Sequence, residues 1–124
     1  VYLCYGIHHL FNIVTNTENH ADAVLIRALE PAQGLQTMLE RRGLSAVEPR
    51  VSSGPGNLSQ AMGINTQHYG KPLEKSENIW LEKGIIIDYQ NIISRKRVGI
   101  SYAEEDADLP WRFYNKQSNY VSIR

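Results

Sequence analysis

Residues 23–29 read AVLIRAL, apolar throughout except for Arg27. A strand with one wet face alternates polar and apolar positions, so a short unbroken apolar run is the pattern of a strand covered on both faces. The expectation is a buried central strand, ended by Pro31. Arg27 is then the residue that needs a reason. A guanidinium cannot shed its proton, so withdrawing it from water requires an anionic or polar partner. The ordinary structural partner is a nearby carboxylate, and Asp22 and Glu30 stand on either side.

The other segments fall into place around that run. Residues 1–15, VYLCYGIHHLFNIVT, are aromatic and β-branched with one Gly, which fits two short strands or one bent strand. Leu35, Met38, Leu39 and Arg42 are spaced as on a helix, and Gly43 supplies its stop. A second short helix is expected over 57–62, entered from SSGPG and ended by Gly63. Residues 65–78 read as loop, whereas 79–82, 85–89 and 92–102 have strand character, and PWRFY (110–114) and YVSI (120–123) close the chain. Strands outnumber helices without alternating with them, so the expected class is α+β with a largely antiparallel sheet. A length of 124 residues suits one domain with a modest core.

Composition excludes several classes. No apolar run approaches the roughly 18 residues of a membrane span. Cys4 is the only cysteine, which leaves no disulfide framework and points to a reducing, intracellular compartment. His8, His9, His20 and His68 lack metal-ligand spacing, so no zinc site is expected. The chain opens VYLCY, with neither an initiating Met nor a basic leader, and a segment preceding Val1 is expected. Lys plus Arg equals Asp plus Glu at 13 each, so any affinity for nucleic acid must come from local clustering. One cluster is present, Arg95-Lys96-Arg97, followed by Val98-Gly99, where a glycine permits close backbone approach. The acids Glu104, Glu105, Asp106 and Asp108 gather elsewhere. Taken alone, a three-residue basic run is more often a solvated strand end.

Tyr2, Tyr5 and Asn12 share one apolar segment. If that segment is a strand, Tyr2 and Tyr5 point to opposite faces, and one can line a pocket while the other faces outward. Strand aromatics are usually core, a strand Arg is usually paired, and SSGPG is usually a turn. On the residues alone, the function stays undetermined.

The order of the pieces adds to this. VYLCYGIHHLFNIVT, ADAVLIRALEP, SGPGNLSQAMGIN, IWLE, RVGISYA, PWRFYN and YVSI, in that succession, resemble the methylpurine (3-methyladenine or alkyladenine) DNA glycosylase family along nearly the whole chain. The resemblance implies a single mixed domain on a curved antiparallel sheet, distinct from the helix-hairpin-helix glycosylases. It also implies a monomer acting without cofactor on double-stranded damaged DNA, in the bacterial cytoplasm or nucleoid or the eukaryotic nucleus. Such an enzyme extracts a damaged purine nucleotide from the duplex and hydrolyses its N-glycosidic bond.

By position in the matching motifs, Tyr5 resembles the side chain that fills the vacated stack, and Tyr2 the aromatic lying against the flipped base. Purines alkylated at N3 or N7 are cationic and are attracted to a π face. Asn12 matches the residue that crowds the 2-amino group of undamaged guanine, and Leu25 matches a pocket wall. Arg27 and the Val98 carbonyl match groups that hold the attacking water, with Gly99 beside the DNA backbone. His8 stands where relatives can carry an aromatic residue near the opposite strand, and Arg95, Lys96 and Arg97 are candidates for phosphate contact. The family's general base is a glutamate N-terminal to the strand that opens this chain. The glutamates here, from Glu18 to Glu105, match no such motif, so the chain alone is expected to be inactive. No lysine stands where a Schiff-base nucleophile belongs, which implies base release without strand cleavage. The alternatives are a catalytically dead damage reader of the same fold and a non-catalytic sheet domain.

Overall fold

The opening segment folds as β1 (Tyr2–Cys4), β2 (His8–Leu10) and β3 (Asn12–Val14) in the computed structural model, which describes residues 1–74 and 76–124. Lys75, within the stretch read as loop, lies outside the described residues. Strands β1 and β2 pair antiparallel, with Tyr2 opposite Leu10 and Cys4 opposite His8. Tyr5 and Gly6 make the reversal with φ of 52° and 70°, and the Ile7 N–H donates to the Cys4 carbonyl at 3.1 Å. Positive φ at both central residues is the backbone of the tight hairpin turn whose twist suits the flanking strands. Tyr5 therefore does not oppose Tyr2 across one strand, as the sequence suggested. It stands at a hairpin tip, because Gly6 lets the chain reverse there.

The AVLIRAL run is not a buried central strand either. Its first part, β4 (Ala23–Leu25), pairs antiparallel with β3, and the Ile26 N–H continues that ladder to the Phe11 carbonyl. The chain then changes partner: Ala28 bridges Ser53, and the Leu29 N–H donates to the Ser52 carbonyl. Arg27 falls between the two contacts. Among the described residues β4 has one hydrogen-bonded neighbour, so Ala23 and Val24 stay exposed and residues 25–28 are half-buried.

The core lies between two helices. In α1 (Leu35–Arg42), Met38 and Leu39 pack on Val51 and on Ala61 of α2 (Pro55–Met62), with Leu44 and Tyr120 at the margin. Left-handed glycines end both helices, Gly43 at φ 66° and Gly63 at φ 69°. The paired arginines at the end of α1 tie the layer together. Arg41 donates to the Ala61 carbonyl, and Arg42 donates to the Val51 and Arg50 carbonyls and to Gln60 Oε1. Terminal carbonyls otherwise lacking a partner are thus met by cations, the sign that suits a helix C-terminus.

Helix α2 is entered through Gly54, at φ 98° and ψ 141°, a conformation closed to residues with a Cβ. Gly54→Ala in the full-length protein is expected to destabilise the fold by about 1–3 kcal/mol. Urea denaturation checks this, and an unchanged midpoint would show that the strain does not exist.

Strands β5 (Ile92–Arg95) and β6 (Arg112–Asn115) form the third antiparallel pair. The expected strand over 92–102 stops at Arg95, bends at Gly99 (φ 73°), and gives way to 3₁₀ turns over Ser101–Asp108, broken at Glu104 (φ 52°). The stretches 79–82 and 85–89 form no strand, since no ladder partner lies beside them among the described residues. The class is α+β. Its sheet content is three separate two-stranded ladders, because strands of three and four residues are divided by glycine turns and by the change of partner after Ile26. No helix among the described residues is long and apolar enough to cross a membrane.

Candidate functional site

A cleft of about 760 Å³ opens between the β3–β4 ladder, the turn after β5 and strand β6. Asn12, Leu25, Arg27, Arg97 and Val98 line it, with Trp111, Arg112 and Phe113 on the β6 side. Its volume falls in the range of small-ligand sites. Two of the residues singled out in the sequence face each other directly: Asn12 and Leu25 are register partners in the β3–β4 ladder. The Asn12 amide donates to the Leu10 carbonyl at 3.3 Å, which restrains the side chain at the cleft. Asn12 also borders a second cleft of about 410 Å³, with Phe11, His68 and Leu73.

Arg27 is half-buried, and its position explains its electrostatics. Burial pushes its pKa below the ordinary arginine value, and the neighbouring charges of Arg112 and Arg97 push the same way. The carboxylates expected to pair with it are engaged elsewhere. Asp22 accepts from the Asn16 amide at 2.7 Å, and Glu30 accepts from the Ser118 hydroxyl at 3.2 Å. Among the described residues the ion pairs are Arg50–Glu48 and Lys96–Asp108. Arg27 is thus a cation set between two backbone pairings, close to two others and without a carboxylate partner. Such a cluster suits an anion brought from outside the chain.

The basic run divides instead of forming a stripe. Arg95 donates to the Ser94 carbonyl, Lys96 pairs with Asp108 at 2.9 Å, and only Arg97 reaches the cleft. The acids that seemed remote in the sequence therefore meet the basic run at Lys96. Val98 is half-buried at the cleft wall. Gly99 follows it in the left-handed region, with open space where a Cβ would stand, so glycine is needed there for the bend.

The hairpin residues lie off the cleft lining. Tyr2 is 63% exposed and Tyr5 92% exposed. His8 leans on the first turn of α2, where a Cβ on Gly56 would come within 2.9 Å of its Nδ1. Sequence reasoning missed Arg112, which lines the cleft and is buried in PWRFY, a segment read only as a closing motif. The signal was there to see, since an arginine between Trp111 and Phe113 is the same anomaly as Arg27. Among the described residues no group of three or more His, Cys, Asp or Glu side chains forms a metal-binding arrangement.

Known proteins agree with the resemblance. A protein of Natranaerobius thermophilus named "Putative 3-methyladenine DNA glycosylase" is 44% identical over 124 residues, covering 99% of this chain and 63% of its own length. Proteins of the same name from Chlorobaculum parvum and Rhodopseudomonas palustris are each 43% identical, with 98% and 99% of this chain covered and 56% and 58% of their own lengths. The chain therefore spans less than two thirds of these relatives. Residues 1–119 match the methylpurine-DNA glycosylase (MPG) family. With the motif order preserved and nearly every residue inside the match, this chain belongs to the methylpurine-DNA glycosylase family.

Proposed function

We propose that the protein containing this chain is a monofunctional DNA glycosylase. It binds damaged double-stranded DNA as a monomer, rotates out an alkylated or deaminated purine nucleotide, and hydrolyses the N-glycosidic bond to leave an abasic site. It acts inside the cell, where the genome is, and begins base excision repair. The observation that carries this reading is the convergence of Asn12, Leu25, Arg27 and Val98, distant in sequence, on one cleft. Each has a task there. Leu25 offers an apolar wall, and Asn12 an amide that disfavours a 2-amino purine. Arg27 offers a cation for phosphate or water, and Val98 a carbonyl that can accept from that water.

Tyr5 supports the same reading from outside the cleft. A large aromatic ring held in the left-handed region and almost wholly in solvent serves no packing purpose. Inserted into a duplex, it would occupy the space left by the extruded base, with stacking that tolerates any neighbouring sequence.

The carboxylate that activates water belongs, on this reading, to a segment outside these 124 residues, so the isolated chain releases no base. The test is base release from duplexes bearing 7-methylguanine or hypoxanthine, followed by alkaline cleavage of the product. The full-length protein is expected to give strand breaks only after alkali. Breaks without alkali would exclude a monofunctional enzyme, and no base release from any alkylated or deaminated purine would exclude a glycosylase.

A further inference from the structure

Arg112 is a buried charge that packing does not require. It sits on β6 at 8% exposure, and among the described residues no carboxylate pairs with it. In the ladder it stands opposite Arg95, an unfavourable like-charge register. Removing an unpaired guanidinium from water is costly, and an apolar side chain at this position would avoid that cost. What Arg112 gains instead is specific. Its Nε donates to the Lys96 carbonyl at 2.8 Å and its Nη1 to the Ile123 carbonyl at 2.6 Å, with the guanidinium 5.3 Å from the centre of the Tyr114 ring.

The two carbonyls belong to different segments that each reach the cleft. Lys96 lies two residues before Val98, and Val98 and Ile123 both line the cleft. The β5 ladder ends at Arg95, before the bend at Gly99, so few backbone hydrogen bonds hold the Val98 segment in place. We propose that Arg112 is a positioning residue for base excision. Its forked guanidinium braces the segment carrying Val98 against the C-terminal segment and sets that carbonyl relative to Arg27. The inference rests on the glycosylase reading and deepens it. A planar fork can hold two carbonyls at a fixed spacing, whereas a lysine ammonium is a single point charge on a flexible stem.

The test uses the full-length protein with Arg112→Gln and Arg112→Lys. Single-turnover release of hypoxanthine is measured per folded molecule, beside the Kd for a duplex bearing a non-hydrolysable abasic-site analogue. Misplacing a reacting group by about 1 Å can cost on the order of 10²-fold, so both variants are expected to lose that much rate while the Kd changes little. Hydrogen exchange at the Val98 and Gly99 amides is expected to quicken in Arg112→Gln. A wild-type rate in Arg112→Lys would mean that charge alone suffices and would overturn the brace. So would an unchanged rate per folded molecule in Arg112→Gln, unchanged exchange at those amides, or failure of both variants to fold, which would make Arg112 a stability residue. A wild-type protein that releases no base sinks the glycosylase reading itself; an active wild type with indifferent variants sinks this inference alone.

Discussion

Replacing Arg27 by glutamine in the full-length protein is expected to lower the single-turnover rate of base release by on the order of 10²-fold. Arg27 stands between two backbone pairings, with Ile26 bonded to Phe11 and Ala28 bridged to Ser53, so its main chain is held on both sides. Arg112 and Arg97 lie near enough for their charges to disfavour that of its guanidinium. Three converging cations would also disfavour the positive charge that develops on the sugar as the glycosidic bond breaks. Phosphates flanking the extruded nucleotide would offset that repulsion at Arg27 and Arg97, whereas Arg112 is engaged with the Lys96 and Ile123 carbonyls. The loss is therefore expected in rate and in lesion-duplex affinity together, without loss of fold. Arg27→Lys should recover part of the affinity and little of the rate, because an ammonium keeps the charge but not the planar fork. A glutamine variant with wild-type rate and affinity would remove Arg27 from the site.

Tyr5→Ala is expected to weaken binding to a lesion duplex by about 1–3 kcal/mol, the value of one base–aromatic stack. That corresponds to roughly a 5- to 150-fold rise in Kd. The structure adds a second expectation. Tyr5 occupies the first central position of the β1–β2 turn at φ 52°, where a side chain with a Cβ is strained and Asn is better tolerated. Tyr5→Asn should therefore fold at least as stably as the wild type while losing affinity, and Tyr5→Phe should keep the affinity. Measuring Kd and the urea midpoint on the same variants separates the two effects. If the asparagine variant is less stable and binds normally, the ring is serving the fold and not the duplex.

Local structure was largely legible in the residues. The helix stops at Gly43 and Gly63 appear where glycine's access to positive φ put them, and α2 begins beside the SSGPG entry. Strand readings failed where a ladder partner was needed and none lay beside the segment among the described residues, as at 79–82 and 85–89. A strand is a pairing, and the partner's position is not written in the strand's own pattern. The same limit explains Arg27. The sequence showed that it needed a partner, but Asp22 and Glu30, near in sequence, turn to Asn16 and Ser118 instead.

The sequence alone established which residue types are available and which break a local rule: an arginine in an apolar run, a tyrosine beside a turn glycine, a motif order resembling one family. Local rules sufficed for these because they concern a residue and its immediate neighbours. Only the tertiary structure decided that Asn12 faces Leu25, that Lys96 meets Asp108 while Arg97 reaches the cleft, and that Arg112 joins Arg27 there. Antiparallel register and the change of partner along AVLIRAL bring these groups together across gaps that no local pattern encodes.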